Sequence, residues 1–175
     1  MIRASSVALF VLVTAAACDK GKPAEVAKPP EPAASAPSTA TPTPGAPNAK
    51  PRFVTLANTG NFGLLVVEAA NAARRDGYKP FLQFRAEWCK PCKAFDSFRE
   101  DPKMASALAG VAVIQADLDA WTAEAQKLNV SATPTWLAID ANGQAISARR
   151  IDGGAWEADV PENMAPPLDK FFHAI

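Results

Sequence analysis

The sequence predicts an α/β domain with a central mixed β-sheet flanked by helices, and three observations carry that expectation. Apolar, strand-like runs alternate with stretches of helical periodicity through the second half of the chain. The last two runs are separated by a turn signal and read as an antiparallel hairpin. A helical stretch then closes the chain, so parallel neighbours from the alternation and antiparallel ones from the hairpin share one sheet covered on both faces.

The elements follow in order. Phe53-Val54-Thr55-Leu56 is a short strand, and Phe62 to Arg75 a helix with Leu64, Leu65, Val67 and Ala72 at mixed helical spacing, ended by Asp76-Gly77. Phe81 to Arg85 is a strand, followed at once by a helix that a cysteine pair opens. Asp101-Pro102 restarts a helix, Val111 to Ile114 is a strand, and Trp121 to Leu128 a short helix. Pro134 to Ile139 and Ala145 to Ile151 form the hairpin, with Asn142-Gly143 as a two-residue turn. Pro166 to Ala174 is the closing helix.

Upstream lies a different kind of sequence. Arg3, the apolar run Val7 to Ala17 and the small residues Ala15-Ala16-Ala17 make residues 1–17 an export signal peptide. Its apolar core falls short of the ~20 residues a spanning helix needs. Small residues directly before Cys18 resemble the bacterial lipoprotein signal, in which that cysteine is lipidated, although Ala15 stands where such signals more often carry Leu. Residues 18–51 then read as the lipid-anchor Cys18 and an Ala/Pro-rich tether with too little apolar surface to offset backbone entropy. Residues 52–175 are of a size for one compact domain. The expected address is the periplasm, with the chain held on a membrane by its lipid.

Composition excludes several classes of function. The chain has 18 Lys plus Arg against 18 Asp plus Glu, and no basic patch interleaved with aromatics, so nucleic acid is not an expected partner. There is no glycine-rich phosphate loop, and a single histidine completes no Ser/His/Asp set.

The chemistry concentrates in Trp88-Cys89-Lys90-Pro91-Cys92, two thiols three residues apart between a buried strand and a helix. Unpaired N–H groups and the dipole of a helix start favour a thiolate there and can lower a Cys pKa from ~8.5 into the range of roughly 3.5–7.5. Arg85, Lys90 and Lys93 push the same way and Glu87 opposes. Cys89 is expected to attack a partner's disulfide and Cys92 to resolve the mixed disulfide. Pro91, in the first turn, gives up an N–H that lacks an intrahelical partner. A structural disulfide closes too short a loop to add much stability. A zinc site needs two more ligands, and only Cys18 and His173 remain, so no metal site is expected. Cu(I) carriage by the two thiolates is the non-enzymatic alternative. No cofactor beyond a redox-active Cys89–Cys92 disulfide is expected.

The order of elements, Trp88-Cys89-x-x-Cys92 after a strand, Val130-Ser131-Ala132-Thr133-Pro134-Thr135 before the hairpin, and Gly153 after its second strand together resemble the thioredoxin superfamily. Within it, Phe84-Arg85-Ala86-Glu87-Trp88-Cys89 through Lys93-Ala94-Phe95-Asp96, with Asp101-Pro102 soon after, resembles the periplasmic thioredoxin-like domain of DsbD-type thiol:disulfide interchange proteins. The resemblance implies a thioredoxin fold, a cis Pro134, and a Thr133 backbone beside Cys89 that pairs with an incoming peptide. It implies a substrate-binding set of Trp88, Lys90, Pro91, Thr133, Pro134 and Gly153, with Trp88 shielding the pair.

Two departures stand out. Gln83 occupies the place of a buried Asp that many thioredoxins use to accept the resolving cysteine's proton. Asp96, four residues after Cys92 on the same helical face, is the expected substitute and the third catalytic candidate; a solvated helix carboxylate is its alternative. Ala132 replaces a common Gly. Ala155 to Ala165 separates the hairpin from the last helix more widely than the family does; Trp156 in it is expected to cover the core rather than select a partner. Trp121 and Trp136 are expected to pack.

The expected activity is thiol:disulfide oxidoreduction by a monomer, in the reductive direction, on periplasmic protein disulfides. A membrane thiol electron donor would recharge the pair. An oxidase or isomerase is the nearest alternative.

Overall fold

The computed structural model describes residues 49–174. The signal peptide at 1–17, Cys18 and nearly all of the tether therefore lie outside the described residues. Ala49, inside the predicted tether, already accepts a hydrogen bond from the backbone of Gly110 at 2.8 Å, so the domain's contacts begin a few residues before Arg52.

Five strands form one sheet in the order β1-β3-β2-β4-β5. β1 (Arg52–Thr55) and β2 (Lys79–Arg85) flank β3 (Val111–Asp117) in parallel. β4 (Thr135–Ile139) runs antiparallel to β2, and β5 (Ala145–Asp152) antiparallel to β4 at the edge. β2 begins two residues before the predicted Phe81. Pro80 is tolerated because it lies where β2 pairs only with β3, since the ladder to β4 starts at Phe81.

Alternation along the strands sends side chains to two cores. Phe81, Val111, Val113, Trp136 and Ala138 meet α2 (Lys90–Ser97), α3 (Pro102–Ala107) and α5 (Pro161–His173) through Phe95, Met104, Leu168 and Phe172. Leu82, Phe84, Ile114, Ala116 and Leu137 meet α1 (Phe62–Arg75) and α4 (Thr122–Lys127) through Val66, Ala70 and Ala125. Helices on both faces of a mixed sheet are the predicted fold class. Trp121 and Trp136 are both buried in these cores.

Beyond shifts of one to three residues at other element ends, two elements differ from the sequence reading. α5 starts at Pro161, five residues early, and carries Pro166 and Pro167 inside it. Pro161 is favoured in the first turn, and the buried stripe Pro161, Met164, Ala165, Leu168, Phe172 outweighs two missing N–H donors. The predicted insertion shrinks accordingly to a 3₁₀ turn at Gly153–Ala155 and a short loop to Val160. The hairpin connection is also longer than two residues, because pairing stops at Ile139↔Ala145. Gly143 N–H bonds the Asp140 carbonyl at 2.9 Å, and the Asp140 carboxylate accepts from the backbones of Asn142 and Gln144. Asp first and Gly fourth are preferred residues of a type I turn, so the acid overrides the Asn-Gly signal.

Candidate functional site

β2 ends in the middle of the sheet, and its continuation delivers the cysteines to the start of α2. Cys89 is the N-cap of that helix, extended at φ −75°, ψ 106°. Its sulfur takes the place of a capping oxygen, accepting the Cys92 N–H at 3.1 Å. Pro91 occupies the first turn, where its missing N–H costs nothing. Cys89 and Cys92 are joined as a disulfide with Cα atoms 5.3 Å apart, and both are buried, at 2% and 1% exposure. Lys90 and Lys93 are exposed on the helix beside them.

The opposite wall comes from the segment entering β4. Thr133–Pro134 is a cis peptide bond. The Thr133 carbonyl oxygen lies 3.4 Å from Cys89 Sγ, and the Thr133 hydroxyl lies 3.5 Å from Cys92 Sγ while donating to the Phe84 carbonyl at 2.9 Å. One residue thus touches both sulfurs. Gly153 closes the wall, its N–H bonding the Pro134 carbonyl at 3.0 Å. A Cβ there would stand 3.4 Å from Pro134 Cδ, an ordinary van der Waals contact, so the end of β5 runs directly beside the proline. Cys89, Thr133, Pro134 and Gly153 are therefore brought together.

Trp88 precedes Cys89 in the chain and is turned to solvent. It is 62% exposed, and its indole N–H donates to Asp119 at 2.9 Å. Sequence reasoning missed Asp119. A signal existed: β2 and β3 are parallel neighbours, so the residues after both strand ends share one edge, and Leu118 N–H indeed bonds the Arg85 carbonyl at 2.7 Å.

The two departures from the family pattern also acquire geometry. Gln83 is buried and accepts a 2.7 Å hydrogen bond from Gln115, its register partner on β3. Sequence reasoning did not find Gln115, because strand register is a long-range property. Asp96 has one carboxylate oxygen on Arg85 at 2.7 Å and the other on Arg99. The Arg99 guanidinium in turn sits 3.8 Å from the centroid of the Phe53 ring, tying α2 to β1 and β2. Arg85, expected to act on the thiols, is thus paired with a carboxylate. No hydrogen bond joins Asp96 to either sulfur among the described residues. Among them, too, no group of three or more His, Cys, Asp or Glu could hold a metal ion.

Trp156 lies 5.9 Å, centroid to centroid, from buried Trp136 and donates its indole N–H to Asp159 at 2.9 Å. Both contacts are intramolecular and belong to packing.

Over 86 residues the chain is 36% identical to the thiol:disulfide interchange protein DsbD of Yersinia pestis, a match covering 46% of this chain and 14% of that protein. Over 82 residues it is 38% identical to the protein of the same name from Haemophilus ducreyi, covering 44% and 14%. The chain spans 14% of the length of these relatives. A solved thioredoxin from Thermus thermophilus aligns at 20% identity with a TM-score of 0.47, covering 70% of this chain and 85% of that one. The family model described as Thioredoxin matches residues 71–165, which include both cysteines, Thr133, Pro134 and Gly153. With a mixed sheet covered on both faces and a Cys-x-x-Cys pair at the start of α2, the chain belongs to the thioredoxin family.

Proposed function

We propose that this chain is an exported thiol:disulfide oxidoreductase, held on a bacterial membrane through Cys18, that reduces disulfides of periplasmic proteins. The observation that carries the reading is the Cys89–Cys92 disulfide at the first turn of α2, with the Cys89 sulfur capping that turn and facing Thr133. Relatives 36% and 38% identical over 86 and 82 residues are thiol:disulfide interchange proteins by name. The reductive direction rests on the resemblance to their thioredoxin-like domain.

In the reduced state, Cys89 is the attacking sulfur. Its Sγ lies against the Cys92 N–H at a helix start, where backbone dipoles stabilise an anion. It attacks a client disulfide and forms a mixed disulfide, releasing one client thiol. Cys92 then attacks Cys89 Sγ, the Cys89–client bond breaks, and the second client thiol leaves. Two electrons pass to the client, and a membrane thiol donor restores the dithiol. Exposed Trp88 and Lys90 with half-buried Pro91 on one side and Thr133, Pro134 and Gly153 on the other border the client's path, with the Thr133 backbone available to an extended peptide.

The test is the reduction potential of the pair against glutathione or dithiothreitol buffers. A value near ~−270 mV supports a reductase that needs an electron donor, whereas one near ~−120 mV makes the chain an oxidant and overturns the direction.

A further inference from the structure

We propose that the Thr133 side chain is catalytic: its hydroxyl holds the proton of the Cys92 thiol whenever the pair is reduced. The inference rests on the redox cycle above and assigns it a group beyond the two cysteines. Cys92 is 1% exposed, so water is a poor partner for its S–H. Among the described residues the Thr133 hydroxyl is the side-chain polar group within hydrogen-bond distance of Cys92 Sγ. Neither Gln83, whose side-chain oxygen accepts from Gln115, nor Asp96, paired with Arg85 and Arg99, makes a hydrogen bond to that sulfur.

Thr133 Oγ lies 3.5 Å from Cys92 Sγ. A hydroxyl has one hydrogen and two acceptor sites, and here the hydrogen points to the Phe84 carbonyl at 2.9 Å. What faces the sulfur is a lone pair. In the disulfide, Cys92 carries no hydrogen and the two atoms merely touch. In the dithiol, the same contact becomes S–H···O. The bond therefore exists in one redox state only and stabilises the dithiol.

The cycle uses this directly. When a client is bound to Cys89, the Cys92 thiol loses its proton, its sulfur bonds to Cys89 Sγ, and the Cys89–client bond breaks. The departing client sulfur keeps the electron pair and takes up the proton that Cys92 gives up, so the step releases no net proton. Thr133 keeps the Cys92 proton localised until that moment, so Cys89 rather than Cys92 is the nucleophile of the first step.

The test equilibrates the full chain, wild type and T133V, T133A and T133S, in glutathione redox buffers, and unfolds each in urea as dithiol and as disulfide. A weak S–H donor places the effect at the low end of net hydrogen-bond strength. In T133V and T133A, the equilibrium constant for forming the disulfide is expected to rise about threefold, a potential about 14 mV more negative at ~29.6 mV per tenfold. T133S stays at the wild-type value. The stability gap between the two redox forms must shift by the same factor, because their unfolded states share one thiol–disulfide equilibrium. The lost bond to Phe84 weakens both forms alike and cancels. A uniform loss of stability with an unchanged redox equilibrium would make Thr133 a packing residue and sink the proposal alone. A wild-type chain that does not exchange with glutathione would sink the functional reading and this proposal together.

Discussion

Gln115 donates a 2.7 Å hydrogen bond to Gln83 on the next strand, two amides buried at 3% and 1% exposure in the middle of the sheet. An uncharged pair fills a space that an ionisable one could occupy, and neither amide can carry a proton away. Q83D should therefore be destabilised by a carboxylate whose burial raises its pKa. A carboxyl with a raised folded pKa contributes most below its unfolded value of ~3.9 and loses that contribution as pH rises through the folded value. The denaturation midpoint of Q83D should fall with rising pH over that window relative to wild type. A parallel pair of midpoint curves would mean that water reaches the site.

Replacing the resolving sulfur should arrest the cycle halfway. C92S, incubated with a disulfide-bonded client or a small aromatic disulfide, should accumulate a mixed disulfide on Cys89, visible as a mass increase that dithiothreitol removes. C89S should accumulate none. The opposite pattern would exchange the roles of the two cysteines.

Asp96 bridges two guanidiniums, one of them at 2.7 Å, with its side chain about three-quarters buried. D96N leaves two cations without their anion and should cost on the order of 1–2 kcal/mol in urea unfolding, discounted for partial exposure. The pH profile of the exchange rate should move little. A displaced profile with unchanged stability would return Asp96 to proton handling.

W156A removes a ring packed on Trp136 and should cost about 2 kcal/mol, below the range for a fully buried Trp because the residue is only partly covered. Exchange rates with clients should stay at the wild-type level once the domain is folded. A rate loss without a stability loss would make the loop before α5 a client contact.

Lys103 and Glu162 join α3 to α5 across the surface at 2.6 Å. Their hydrogen bond holds the Glu162 carboxyl below its usual pKa and the Lys103 ammonium above its own. The acid side of the pair's contribution is lost as pH falls through the lowered Glu162 value, and the basic side as pH rises through the raised Lys103 value. Both side chains are more than half exposed, so K103M should cause only a small drop in Tm that disappears in high salt. A large, salt-insensitive drop would contradict this.

The fold was legible where periodicity and chain punctuation agree. Phe62–Arg75 matched to the residue, because its apolar spacing ends on Asp76-Gly77. The start of α5 was not, since Pro166 and Pro167 read as a helix boundary until the buried stripe from Pro161 to Phe172 is seen in three dimensions. Asn142-Gly143 misled for a related reason: the local turn signal is overridden by the Asp140 side chain, whose capping bonds the pattern does not reveal. At the site, the cysteines, Pro134 and Gly153 are written into motifs. Gln115, Asp119 and Arg99 act through contacts 31 residues or more apart in sequence or through register, or by a charge pair whose partner has to be seen.

The cap on α2 has a consequence for how position 89 tolerates change. The same sulfur that performs the first attack also satisfies the Cys92 N–H at the head of the helix. Alanine at 89 removes both duties and carries the ~0.5–2 kcal/mol penalty of an uncapped helix, whereas serine abolishes the reaction but keeps an acceptor in place. A mutant library screened for folding alone, blind to redox activity, would still discriminate against alanine at that position and spare serine.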